Sequence, residues 1–305
     1  WLKLYRVVQV TCLPHCKLLA MHADSLGWRN WANLSAYVAN LVVTYASQTG
    51  VFGRTNTYLS AKYQTLVTPA GFAFAIWGPI FIWEGVFVVA QMVGRWRRSK
   101  VIEAVTPWWI GACVFQIVWT FAFAQEEILL ALLCMLGILG SLLGGILRMD
   151  SVDSISTAEF WLLRGPISLH GGWIVAASAV NVNVLADKFL APPEVSLALA
   201  IVSLGAILAT VALFAFATPR PDPLIGFVAS WALLGIYSEL GQATKLKDPT
   251  RFNFYDWPDV DLEALRLAAL ILSVTSLGCA VAAATCRTVG TRTKPMQDES
   301  RALRV

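Results

Sequence analysis

Two titratable residues sit inside otherwise apolar sequence: Glu84, within residues 69–94, and His170, within 164–186. A carboxyl or imidazole is costly to place in such a run, and it serves where a polar group must be held or a proton carried. Trp77 and Gln91 stand seven residues to either side of Glu84, about two helical turns, so the three form one stripe. Gly71, Gly78 and Gly85 form a second stripe beside it, suited to close approach of a neighbouring helix. His170, Trp173, Ala177 and Asn181 share a face. An imidazole there can ligate a metal or the magnesium or iron of a tetrapyrrole, can bind a carboxylate, or can serve as a hydrogen-bonded interior residue. Glu84 has a structural alternative too, since polar side chains commonly join membrane helices. In residues 223–242, Trp231, Gly235, Ser238 and Gln242 form another stripe, with Glu239 at its edge near the membrane surface. Indole N–H groups inside apolar runs need partners. Trp77, Trp119, Trp173 and Trp231 can together wall a pocket for a flat, apolar ligand.

The elements that position these residues follow from composition. The chain has 305 residues, 57% hydrophobic and 14% charged, with mean hydropathy +0.63. A soluble domain carries about 25% charged residues, so too few charges remain here for an aqueous surface. Apolar runs long enough to cross a bilayer fall at 30–46, 69–94, 106–124, 127–147, 164–186, 194–217, 223–242 and 261–285. They are too long and continuous for strands, and backbone groups in lipid pair internally most simply as helices. The expected fold is therefore all-α: a polytopic integral membrane bundle of about eight transmembrane helices. Residues 1–29 form a basic N-terminal segment with the character of a targeting remnant, 30–286 the transmembrane domain, and 287–305 a polar tail. Pro69, Pro107, Pro166, Pro193 and Pro223 mark span starts. Trp108, Trp109, Trp161 and Trp257 suit an interfacial belt.

The first span is the most polar, with Asn33, Tyr37, Asn40 and Thr44 aligned along it, and an interfacial helix is its alternative. The third and fourth spans are separated only by Gln125, Glu126 and Glu127, which makes them a tight hairpin or one broken helix. In the fourth span Gly137, Ser141 and Gly145, with Gly140 and Gly144, read as a packing face. An even number of crossings gathers 16 of the Lys and Arg residues on the side of both termini and seven on the other. That asymmetry places the termini in the cytoplasm, matrix or stroma.

The run at 66–84, Leu-Val-Thr-Pro-Ala-Gly-Phe-Ala-Phe-Ala-Ile-Trp-Gly-Pro-Ile-Phe-Ile-Trp-Glu, resembles the second-span motif of the tryptophan-rich sensory protein or translocator protein family, specifically its longer members. Pro166–Asn181 and Asp222–Ile236 are similar to that group as well, so the resemblance extends from about residue 30 to 285. It implies an all-helical membrane protein that binds hydrophobic ligands such as tetrapyrroles and sterols, with roles in stress-linked regulation or transport. Pro69, Phe74 and Trp77 match the motif. Ala70 and Phe72 stand where short members carry a proline and a tryptophan, and Pro79 interrupts the Ile-Trp-Gly run.

The expected ligand-binding residues are Pro69, Phe74, Trp77, Glu84, His170, Trp173, Asn181 and Trp231. The expected ligand is a tetrapyrrole, pigment or lipid, and the expected surroundings are the bilayer and other membrane subunits. Two further readings stay open: an accessory subunit of an organellar photosynthetic or respiratory complex, and a proton-coupled secondary transporter using Glu84. Cys12, His15 and Cys16 match no standard zinc spacing, and no metal is assigned. No nucleic-acid module or catalytic signature is present, so a non-enzymatic role is expected.

Overall fold

The computed structural model describes residues 26–241 and 259–292. Nine helices and no strand occur among them. In chain order they are α1 (Trp28–Ser47), the short α2 (Asn56–Lys62), α3 (Gly71–Ala90), α4 (Lys100–Ala124), α5 (Ile128–Asp150), α6 (Thr157–Lys188), α7 (Pro193–Ala217), α8 (Pro223–Leu240) and α9 (Asp259–Arg292). Seven of them, α3 to α9, are long and apolar enough to cross a membrane. Their outward faces carry Ile82, Val89, Leu133, Val202 and Val274 exposed. A continuous apolar exterior of this kind is what a hydrocarbon solvent requires.

α1 falls short on hydropathy because its polar residues turn inward. Asn30, Asn33 and Asn40 are buried. Asn33 Nδ2 donates to Gln91 Oε1 at 2.8 Å and to Thr106 Oγ1 at 3.0 Å, and Asn30 Nδ2 donates to the Gln91 and Arg97 carbonyls. The helix runs alongside α4 from end to end. Arg29 pairs with Glu103 at 3.0 Å at one end, and just past the other end the Arg54 N–H donates to the Ala124 carbonyl. Twenty residues at about 1.5 Å each give about 30 Å, the depth of a hydrocarbon core. α1 therefore has a length comparable to its neighbour's, though it is not among the seven apolar spans, and its polarity is spent within the bundle.

α4 and α5 form a tight hairpin rather than one broken helix. Glu126 turns the chain with φ of 61°, and the Glu127 N–H donates to the Ala122 carbonyl. Gly53 seats the α1–α2 connection on this turn. A Cβ there would stand 2.5 Å from the Ala124 carbonyl oxygen, and its φ of +135° also favours glycine. Three of the α5 glycines pack as expected, Gly137 against the Phe115 ring and Gly144 and Gly145 against Trp108, whereas Gly140 has nothing within 4 Å. α6 sits between α5 and α8, and α9 covers α8 and α7.

Several details depart from the sequence reading. α4 begins at Lys100, capped by the Ser99 hydroxyl, so Pro107 lies inside the helix rather than at its start. Trp109 is not a belt residue; it is 1% exposed, and its indole donates to the Asn33 carbonyl. Trp108 and Trp161 are exposed, as a belt residue should be. Of the glycine stripe on α3, only Gly85 meets a neighbour, the Tyr37 hydroxyl; Gly71 and Gly78 face open space. Trp257, Gln242 and the Cys12–Cys16 segment lie outside the described residues.

The connections fall at two ends. At one end Asn30 meets Arg97, Ser99 meets Glu159, and Arg220 meets the carbonyls of Met149 and Asp150. At the other end Lys62 pairs with Glu126, Gln64 with Glu239, and Lys188 with Tyr63. The basic loops thus gather at the first end, with the start of α1 and the end of α9.

Candidate functional site

A cavity of about 680 Å³ opens at the second end between α1, α2, α3, α4, α6 and α8. The segment before α3 forms one wall. Thr65–Thr68 is a hydrogen-bonded turn, and the Ala70 N–H donates to the Gly235 carbonyl at 3.0 Å. Gly235 permits that approach, since a Cβ there would meet Ala73 at 2.8 Å and Pro69 at 3.0 Å. Pro69 is thereby fixed against α8 and lines the cavity.

The interior is aromatic. Trp77 stacks on Phe81, with ring centres 5.5 Å apart. Its other contacts are edge-on: Trp173 at 6.4 Å and His170 at 5.5 Å. Phe74 meets Trp173 edge-on at 5.6 Å. Trp119 stacks on Phe123 at 5.0 Å, and its indole donates to Asn181 Oδ1 at 3.2 Å. Rings locked in these stacked and edge-on arrangements make a rigid wall. The rim is polar, with Gln48, Asn56, Ser60 and Gln64. Gln64 Nε2 donates to Glu239 Oε1 at 2.8 Å, so Glu239 belongs to the cavity mouth rather than to a solvated edge.

Of the expected binding residues, Pro69, Phe74, Trp77, Trp173 and Asn181 line this cavity together. Trp231 stands apart. It is 38% exposed, packs edge-on against Phe72, and its indole donates to the Ala73 carbonyl at 3.0 Å. Trp119, expected among the tryptophans that could wall a pocket, lines the cavity too, as do Gln116, Tyr45 and Gln64, which were not singled out. Trp119 was legible as an interior tryptophan; for the others no local spacing pattern marks the face.

Glu84 and His170 meet each other one layer behind the wall. His170 Nδ1 lies 2.7 Å from Glu84 Oε1, and neither side chain is more than 2% exposed. One proton along this contact makes the pair neutral overall, whether a glutamic acid donates to imidazole or an imidazolium donates to a carboxylate. Glu84 Oε2 and His170 Nε2 have no hydrogen-bond partner among the described residues. Trp77 lines the cavity, and its ring meets His170 edge-on. No group of three metal-ligating side chains occurs among the described residues.

Two charged clusters bracket the bundle. At the basic end, Arg164 is fully buried. It donates to Asp150 through Nε and Nη2, at 3.1 and 3.3 Å, and to Asp222 through Nη1 at 2.6 Å. Asp222 also accepts from Ser168 at 2.6 Å and from the Leu224 N–H at 2.9 Å, where it caps α8. Sequence reading missed this network. At the cavity end, Glu126 accepts from Lys62 and from the Tyr63 hydroxyl. The hydrogen bond from Lys62, and then that from Tyr63, holds the Glu126 carboxyl below its usual range, and the same bond raises the Lys62 ammonium.

Residues 30–281 match the family model described as TSPO-like protein. No match was found among curated proteins or among solved structures. The matched region runs from the first turn of α1 to the last turns of α9, and it contains the whole cavity wall. With the motif at 66–84 on the cavity face of α3, the chain belongs to the TSPO-like protein family.

Proposed function

We propose that this membrane protein binds and carries a flat hydrophobic ligand of the tetrapyrrole, pigment or sterol kind in the aromatic cavity. One observation carries the reading: a cavity of about 680 Å³ walled by Trp77, Trp119 and Trp173 beside the family motif. Ligand pockets span about 300–1,000 Å³ and combine apolar walls with a few polar groups. The family match is consistent with such a role, and the reading assigns no catalytic residue. The basic end faces the cytoplasm, matrix or stroma in this reading, so the cavity opens on the opposite side.

The experiment is a titration of the detergent-solubilised protein with a porphyrin and with an uncharged polycycle, followed by Trp fluorescence. Saturable quenching that is lost in the Trp77→Ala, Trp173→Ala double variant is expected. Quenching unchanged by that variant would remove the cavity as the site.

The buried Glu84–His170 pair supports a second reading, in which ligand movement is coupled to a proton carried on that pair. Uptake into proteoliposomes should then depend on a pH gradient in the parent and lose that dependence in Glu84→Gln. Uptake indifferent to the substitution would count against proton coupling.

A further inference from the structure

We propose that Gln116 is the polar anchor of the cavity, and that the cavity selects an uncharged ligand bearing a hydroxyl at its buried end. The inference rests on reading the cavity as a ligand site, and deepens it. Gln116 projects from α4 into the cavity lining and is 2% exposed. Its carboxamide oxygen has no hydrogen-bond partner among the described residues. A buried amide oxygen left without a partner is destabilising, and no side chain of the lining bonds to this one among the described residues. The amide can turn about its last bond to present either oxygen or nitrogen. A hydroxyl both donates and accepts, so it satisfies either orientation.

Charge narrows the ligand further. Among the described residues lining the cavity, none is Lys, Arg or His, and the one carboxyl, Glu239, already accepts from Gln64 at the mouth. Lys62 and Lys188 stand behind Tyr63, outside the lining. Lys62 is paired with Glu126, and Lys188 donates to the Tyr63 hydroxyl at 3.3 Å. A carboxylate carried past Tyr63 to the depth of Gln116 would meet no cationic side chain in the lining, and burying an unpaired charge is strongly unfavourable.

The test uses the full chain in detergent and two matched pairs of probes, with Trp quenching as readout. One pair is a rigid polycyclic alcohol and its methyl ether; the other is a porphyrin dicarboxylic acid and its dimethyl ester. The parent protein should bind the alcohol about tenfold more tightly than the ether, the size of one buried hydrogen bond, and should prefer the ester to the acid. In Gln116→Leu, checked for an unchanged melting temperature, the alcohol and ether should bind alike. Equal affinity for alcohol and ether in the parent overturns the anchor, and this comparison needs no variant. So does a preference that survives in Gln116→Leu. If the acid binds the parent more tightly than the ester, the selection for uncharged ligands fails. If none of the four probes quenches the parent, the cavity reading itself fails, and the anchor with it.

Discussion

Replacing Arg164 with methionine keeps the volume of the side chain and removes the guanidinium that Asp150 and Asp222 share. Both carboxylates are buried, at 7% and 1% exposure, and both lose their bonds to Arg164 at once. Removing one partner of a buried ion pair costs about 3–5 kcal/mol, because it leaves an uncompensated charge. Two aspartates lose a partner together, but Arg220 and Arg287 stand near enough to offset part of the charge, and about 5 kcal/mol is the upper end of the expected loss. At about 2–4 °C per kcal/mol for a chain of this size, a loss of about 5 kcal/mol lowers the melting temperature by about 10–20 °C. The protein supplies its own probe: Cys113 and Cys134 are buried free thiols that become reactive to a thiol-specific dye on unfolding, whereas Cys286 is exposed from the outset. Adding Asp150→Asn and Asp222→Asn should recover more than half of the loss. Asparagine still caps α8 through the Leu224 N–H, and neither carboxylate is left buried without Arg164. A melting temperature within about 2 °C of the parent for Arg164→Met would refute the argument, since that is less than the loss of one ordinary hydrogen bond predicts.

Other substitutions test neighbouring parts of the argument. Gly226→Ala adds a Cβ 2.9 Å from the Ser276 carbonyl oxygen, between α8 and α9, and should cost about 1–3 kcal/mol in the same thermal assay. Gly140→Ala, where nothing lies within 4 Å, should melt at or above the parent temperature. Glu84→Leu leaves His170 without a partner and should destabilise by about 1–3 kcal/mol, whereas Glu84→Gln keeps a hydrogen bond and should cost less than half as much.

The Lys62–Glu126 contact predicts a pH dependence with a definite sign. Because Glu126 titrates below its unfolded value, its contribution is complete above about pH 5 and is lost as pH falls through the depressed value. The Lys62 contribution, from a raised value, is complete below about pH 10 and is lost only as pH rises through it. The melting difference between the parent and Glu126→Gln should therefore hold through neutral pH and close in acid. A difference unchanged at pH 3 would show that the contact does not titrate.

Most of the bundle was legible because a bilayer imposes long apolar runs, and α3 to α9 are those runs. α1 was legible through a different signal. Its hydropathy is diluted by Asn30, Asn33 and Asn40; the alignment of Asn33, Tyr37, Asn40 and Thr44 marked one face, but whether that face lay buried or at the interface depended on α4. Face, more than position along the chain, decided the errors. Trp108 and Trp109 are adjacent at a predicted span edge, yet one points outward and the other into the seam. The α3 glycines read as a packing stripe because small residues usually mean close helices, but Gly71 borders the cavity.

The candidate site was legible in part for the same reason. Trp77 and Trp173 lie on stripes that single helices define, so local periodicity exposed them. Gln116 and the Arg164 network depend on which helices meet. Asp150, Arg164 and Asp222 come from three helix ends, with Arg164 14 residues from one partner and 58 from the other. No local pattern relates them, and near span edges each reads as a solvated charge.

The polar seam of α1 also bears on how the protein enters its membrane. An isolated helix carrying Asn30, Asn33 and Asn40 would expose unpaired amides to lipid, and such a segment partitions poorly on its own. Its partners are Gln91, which follows α3, and Thr106 and Trp109 in α4. They emerge from the ribosome well after it does. The polar face of α1 is therefore satisfied only once α4, made after it, is in place. Gly53 and Arg54 fasten the far end of α1 to the α4–α5 turn.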